Sequence, residues 1–285
     1  MERDKMRKIN DVNYTILSKI LLVSALLCCI LLAGCSSVQT NNGVNIVKDD
    51  SLLKVKERGK LVVGADIPYG IMEFFDENNN PVGIDVDIAR EIASGLGVSL
   101  EFQDYAWDEL FVAIDNGTFD IVISAITITQ ERSETMLFSI PYFDGGQVII
   151  VRGETQDIAS LEDFQGRKMG VQEDTTGEIE LKKYINSTQI SLYVTCFPDE
   201  ANPESGMIYD LKNRNIDAIV IDYVAAVDIL KIEPGFKIVG EPFTQEYYGI
   251  ATKLGNAALM SEIDAVLRNM KRNGRLDEIK SKWTK

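Results

Sequence analysis

Histidine is absent from the 285-residue chain. Its absence removes Ser–His–Asp triads, His-ligated zinc and imidazole pH switching together. An excess of basic charge is missing too: 29 Lys and Arg stand against 44 Asp and Glu, for a net charge of −15. Holding a phosphate backbone takes a basic patch. No cluster of Lys or Arg breaks this acidic field, so nucleic acid is excluded as a partner. Cysteine is scarce, with four in all. Cys28 and Cys29 sit in an apolar run, Cys35 follows it and Cys196 stands alone, so no disulfide framework is expected. Cys196, inside the strand-like run 191–197, reads as a small core residue rather than a nucleophile. No apolar run reaches the ~20 residues of a spanning helix; the longest goes from Ile20 to Ala33. No cofactor or metal motif is present.

What the first residues do carry is an export pattern. Arg3, Lys5, Arg7, Lys8 and Lys19 precede the apolar run, whose length suits a signal h-region. It closes in Leu32-Ala33-Gly34-Cys35-Ser36-Ser37, which resembles the lipobox of bacterial lipoproteins. That resemblance implies cleavage before Cys35 and a lipid (diacylglycerol with palmitate-type chains) on its thiol; an uncleaved signal anchor is the alternative. Residues 1–34 are therefore expected to be a leader, and the polar, Asn-rich 35–50 a flexible tether. The remainder, more acidic still, is long enough for one large or two modest cores.

From residue 51 onward, short β-branched runs alternate with amphipathic segments. Strand-like runs lie at 61–65, 99–102, 120–124, 147–151, 168–171, 192–197, 218–221 and 247–252. Helical patterns lie at 86–96, 107–116, 177–185, 205–213, 223–232 and 257–271, with a last one ending at Trp283. Such alternation predicts an α/β fold of mostly parallel sheets covered by helices. Breaks at Pro141–Gly146 and Gly240–Pro242 favour two sheets over one. The expected plan is lobe 1 at 51–144, lobe 2 at 145–244 and a return to lobe 1 at 245–285, with two strands crossing between them as a hinge.

In open α/β sheets, ligands bind beyond the carboxyl ends of strands. Those ends carry Asp66, Ser124, Gln172 and Asp222. Thr129 suits the N-cap of a helix starting at Gln130, and Glu131 suits its positive end, but Arg132 does not. A cation there needs an anionic partner, either Glu131 or a neighbouring Asp, or a ligand carboxylate gripped by the planar guanidinium with Thr127 beside it. Thr175 and Thr176 open a helix whose free N–H groups suit an anion, as any capped helix start would. Asp222 is either the N-cap of the next helix or an acceptor for an ammonium. Arg132 and Asp222 together complement an α-amino acid zwitterion.

Leu61-Val-Val-Gly-Ala-Asp66, Gly83-Ile-Asp85-Val-Asp87, Phe119-Asp-Ile-Val-Ile-Ser124, Thr127-Ile-Thr-Gln-Glu-Arg132, Phe138-Ser-Ile-Pro-Tyr142, Met169-Gly-Val-Gln172, Ile216–Asp222, Tyr248-Gly-Ile-Ala251 and Lys282-Trp283 occur in this order. With them, the chain from about Leu52 to Trp283 resembles the family 3 solute-binding proteins of ABC importers for polar amino acids. The resemblance implies a two-lobed periplasmic-binding-protein (Venus flytrap) fold. It implies that Arg132, Thr127 and Thr175 or Thr176 bind the α-carboxylate, and that Asp222 and the backbone near Ser124 hold the α-ammonium. Tyr69 and Trp107 would sandwich the ligand side chain, although Trp107 by itself reads as a core residue. Its partners would be a free amino acid and an ABC permease, with the protein held as a monomeric lipoprotein on the outer side of the plasma membrane.

Three positions depart from the family pattern. Ile71-Met72 replaces Pro-Phe, Asp174 replaces the glycine before Thr175, and Ala125 stands where relatives have Ser or Gly, so that a serine's hydroxyl contact is missing. Asp66 favours a polar or cationic side chain, with glutamine and cystine open, and Glu73 is expected to add charge farther out. A cyclohexadienyl dehydratase-like enzyme on the same fold is the alternative, with Glu173 as its general acid.

Overall fold

The computed structural model describes residues 49–197 and 206–284. The expected leader, Cys35 and nearly all of the tether lie outside the described residues. The first helix, α1 (Ser51–Arg58), leads into β1 (Lys60–Ala65), in which every residue after Lys60 is buried. That is the pattern of a strand covered on both faces. A short hairpin, β2 (Phe74–Phe75) and β3 (Pro81–Val82), precedes α2 (Ile84–Leu96) and β4 (Ser99–Asp104). Next come α3 (Trp107–Asn116), β5 (Ile121–Val122), α4 (Gln130–Thr135) and β6 (Met136–Phe138). β1 pairs parallel with both β4 and β5, with α2 and α3 on the connections. The strand expected to reach Ser124 leaves the sheet after Val122, because the chain turns at Ala125, whose φ is 47°.

β7 (Phe143–Gly145) carries the chain out of this sheet. The second sheet uses β8 (Gln147–Arg152), β9 (Lys168–Gln172), β10 (Tyr193–Phe197), β11 (Ala218–Asp222) and β12 (Phe236–Val239), in the order β10-β9-β11-β8-β12. Its helices are α5 (Thr176–Thr188), α6 (Met207–Lys212) and α7 (Tyr223–Ile232). The two-residue period of the strands divides their side chains between two cores. Val148, Ile150, Ile219 and Ile221 pack with Leu211 and Ala226 on one face, whereas Ile149, Val151 and Val220 pack with Phe164 and Leu181 on the other. Cys196 is half-buried, and its Sγ donates to Glu178 Oε1. Burial pushes this thiol up to about 11, so it stays protonated and a poor nucleophile.

The chain returns through β13 (Glu246–Tyr248), antiparallel to β7. It then adds β14 (Ala251–Lys253) to the first sheet, which reads β4-β1-β5-β14-β6. The single strand expected at 247–252 is thus two strands, because Gly249-Ile250 steps from the hinge ladder into the sheet. The step runs tight against Ile128: a Cβ on Gly249 would stand 2.7 Å from its side chain. Gly145 is held to the same standard, since a Cβ there would lie 2.4 Å from the Tyr248 ring.

β8 and β14 are the first strands after each crossing, and both pair antiparallel with their neighbours. They arrive from the other lobe and not over a helix, so the parallel pairing expected from βαβ units is confined to the strands that do follow helices. α8 (Ala257–Asn273) and α9 (Arg275–Trp283) close the first lobe, with Leu259, Ile263 and Leu267 packed against Ile88 and Ile92 of α2. Truncating any of these buried side chains to alanine would cost about 2–5 kcal/mol. Among the described residues, no helix is long and apolar enough to cross a membrane.

Candidate functional site

A polar cavity is lined from the first lobe by Asp66, Tyr69, Trp107, Ser124, Ala125, Thr127 and Arg132, and from the second by Gln172, Thr175, Thr176 and Asp222. All eleven ligand-site residues named from the sequence therefore meet in one space between the two sheets.

Arg132 stands in the first turn of α4, where Thr129 caps the helix by accepting from the Arg132 N–H at 3.1 Å. Its guanidinium makes no carboxylate ion pair among the described residues. Nη1 donates to Thr127 O at 3.1 Å, and Nη2 reaches the second lobe to donate to Asp174 O at 2.9 Å. The ring faces of Trp107 and Phe111 lie 5.3 and 5.2 Å from its central carbon, and the two rings meet edge-on. Burial lowers its pKa, opposed by the charges of Asp222, Glu246, Asp174 and Glu131. Of the two partners open from the sequence, Glu131 or an aspartate carboxylate is not taken. Five N–H donors and two bonds leave three for a ligand.

Asp222 ends β11 and precedes α7, yet its side chain caps nothing. It accepts from Gln147 Nε2 at 2.7 Å and, across the cleft, from the Tyr69 hydroxyl. Burial, reinforced by the charge of Glu246, pushes its carboxyl up to about 7, with Tyr69 and Arg132 opposing. Trp107 lines the cavity while also packing on the first-lobe core. Thr175 does not cap α5; its hydroxyl donates to Gln172 O at 2.8 Å. The Asp174 residue that interrupts the family pattern sits at φ 59° and offers Arg132 its carbonyl. Ser124 Oγ accepts from Asp66 N at 3.0 Å and donates to Glu73 Oε1 at 2.5 Å.

The last contact corrects one expectation. Glu73 is not an outlying charge, because it is wholly buried beneath Ser124. Glu246 and Gln147 were not singled out in the sequence at all. Glu246 Oε2 accepts from Thr127 of the first lobe and Thr176 of the second, each at 2.7 Å, and its Oε1 accepts from Thr244 at 3.0 Å. Gln147 Nε2 ties Thr176 to Asp222. The available signal was position alone: Gln147 begins the strand after the first crossing, and Glu246 begins the strand that makes the second. Glu173, the acid named for the dehydratase alternative, is exposed and does not line the cavity.

The geometry has counterparts among known proteins. The L-cystine-binding protein TcyJ of Escherichia coli (strain K12) is 30% identical over 238 residues, covering 82% of this chain and 86% of that one. A solved ancestral arginine-binding protein bound to arginine is 40% identical with a TM-score of 0.73, over 80% of this chain and 99% of that one. The ancestral amino acid-binding protein AncCDT-1, a precursor of cyclohexadienyl dehydratase, is 33% identical with a TM-score of 0.72, over 82% and 99%. The family model for bacterial extracellular solute-binding proteins, family 3, matches residues 61–285. With that match over most of its length, and with two sheet-containing lobes facing a polar cavity, the chain belongs to the family 3 bacterial extracellular solute-binding proteins.

Proposed function

We propose that this protein captures a free polar or cationic L-amino acid between its lobes and delivers it to an ABC permease. The observation that carries the reading is that Arg132, stacked on Trp107 and without a carboxylate partner among the described residues, lines the same cavity as Asp222 from the opposite lobe. The guanidinium takes the α-carboxylate, assisted by Thr127, Thr175 and Thr176. Asp222, with the backbone at Ser124, takes the α-ammonium. Tyr69 and Trp107 flank the side chain, and Asp66 and Gln172 select its polar end, Ala125 adding no hydroxyl of its own.

Hinge closure about β7 and β13 moves the second lobe (145–244) against the first (51–144 and 245–285). A ligand drives closure only through contacts that the closed form alone provides; here these come from Thr175, Thr176 and Asp222. A hydrogen bond to a charged group contributes about 1.5–3 kcal/mol, so a few give micromolar or tighter binding. Residues 1–34 act as a lipoprotein leader, and the mature monomer hangs from a diacylated Cys35 by the tether 35–50 outside the plasma membrane. Two acyl chains give a stable anchor where one would not. The named ligands of the relatives, cystine and arginine, are both amino acids with a polar or charged far end, which supports the ligand class.

The test is a thermal-shift screen of the chain from Ser36 against the amino acids, cystine included. A ligand bound only by the folded state raises the melting temperature by mass action. One or a few polar or cationic amino acids are expected to stand clear of the rest. No shift with any amino acid, or phenylpyruvate formed from prephenate, would overturn the reading.

A further inference from the structure

Behind the Ser124–Ala125 wall of the cavity lie two carboxyl groups with no exposure, Glu73 and Asp85. Glu73 directly precedes β2, and Asp85 sits in the first turn of α2. Glu73 Oε1 accepts from Ser124 Oγ at 2.5 Å. Asp85 Oδ2 accepts from Ala125 N at 2.8 Å and from the Tyr142 hydroxyl at 2.9 Å. The other oxygen of each, Glu73 Oε2 and Asp85 Oδ1, is buried and meets no N–H or O–H donor. The two side chains nevertheless lie within hydrogen-bonding reach of each other, and among the described residues neither forms an ion pair with a Lys or Arg. Two carboxylates in contact and away from water cannot both stay ionised. One proton shared between the two carboxyls would give the pair the donor that it otherwise lacks.

We propose that Glu73 and Asp85 hold one shared proton and one negative charge behind the Ser124–Ala125 wall, positioning that wall for the cationic group of a bound ligand. The pair draws the Ser124 O–H and the Ala125 N–H inward, so neither donor is turned toward an ammonium. It holds the N–H of Ala125 at φ 47°, a left-handed conformation that is unfavourable for an alanine. Its charge adds to the field of Asp66 on the same side of the cavity. Burial raises Glu73 well above the carboxylate range, with the charges of Asp85 and Asp66 adding to the effect. Burial also takes Asp85 up to about 7, against the hydrogen bonds from Ala125 and Tyr142. The other titratable groups facing the pair are Tyr142, held well above its ordinary range by burial and by these carboxyls, and, from β13, Tyr248, held up by burial and by the charges of Asp222, Glu246 and Asp85. The ligand half of this inference rests on the amino-acid reading, whereas the proton does not.

Infrared spectroscopy reads the proton directly in the full chain without ligand. Well above pH 7, where Asp222 is ionised, the wild type should retain the carbonyl band of a protonated carboxylic acid. Glu73→Gln and Asp85→Asn should each lose it, since each leaves a single carboxylate hydrogen-bonded by an amide. Calorimetric titration with L-arginine and L-glutamine then reads the charge. Both single variants keep one negative charge and should lose less affinity than the double variant. The double variant is neutral and isosteric, so it should melt no lower than wild type and bind about tenfold more weakly. A wild type without the band, or a double variant that binds like wild type, would overturn the proposal. Failure of the amino-acid reading shows differently: the band persists while neither probe, nor any other amino acid, binds.

Discussion

On the first-lobe wall, Ser124 and Ala125 are bonded to Glu73 and Asp85 of their own lobe, and Thr129 caps the helix that carries Arg132. On the second-lobe wall, the polar groups reach outward. Asp222 accepts from Tyr69 across the cleft, Asp174 O receives Arg132, and Thr176 donates to Glu246 in the hinge. The first wall is held by its own lobe, whereas the second, besides its internal bonds, also bonds across the cleft, as the proposed closure requires. A ligand should therefore dock first on the first lobe and be secured by the second. Changes on the two walls should differ in kind, with loss of docking on one side and loss of closure on the other.

The largest effect is expected from Arg132→Ala. Removing two or more charge-assisted bonds at about 1.5–3 kcal/mol each should weaken every amino acid by roughly 10²–10⁴-fold. The thermal shifts would disappear together, while an unchanged shift pattern would break the assignment of docking to this wall. Asp222→Asn should come next, with affinity reduced by about 10–100-fold and an effect on stability of the opposite sign. The Asp222 carboxyl is raised to about 7 by burial. The folded state thus binds its proton more tightly than the unfolded state does, and this contribution to stability is lost as pH rises from about 4 through 7. Asparagine removes that dependence, so melting temperatures of the two ligand-free proteins, measured from pH 5 to 8, should converge in the acid and separate in favour of the variant as pH rises.

Thr176→Val tests the second-lobe wall, where the hydroxyl serves both the hinge contact and the proposed carboxylate contact. It deletes one bond to Glu246 and one from Gln147, worth about 1 kcal/mol, and should weaken binding about fivefold. Small-angle scattering of the ligand-saturated variant should match the wild type, and a higher ligand concentration should be needed to reach that compact form. The smallest and most selective change is Asp66→Asn. It should leave the zwitterion contacts in place and lower the rank of cationic amino acids relative to neutral ones in the same screen.

Much of this arrangement is legible along the chain because it depends on short-range pattern. The β-branched runs become strands, and their polar ends converge on the cavity because parallel strands all point one way. The two roles left open for Asp222 are separated only in three dimensions, where its side chain accepts from Gln147 and Tyr69 and caps nothing. Glu246 and Glu73 stay hidden for the same reason. Glu246 meets Thr127 and Thr176 at separations of 119 and 70 residues, and Glu73 meets Ser124 at 51. No periodicity marks such partners, and a glutamate in the middle of a sequence reads as surface until the fold closes over it. The single strand expected at 247–252 failed similarly, since the break at Gly249 answers to Ile128, a contact between distant segments.

The most direct measurement is calorimetric titration of the wild type with the best amino acid from the screen, with its decarboxylated amine and with its deaminated acid. If Arg132 and Asp222 grip opposite ends of a zwitterion, both analogues should bind at least about a hundredfold more weakly than the parent. An amine or an acid that binds as tightly as the intact amino acid would contradict it.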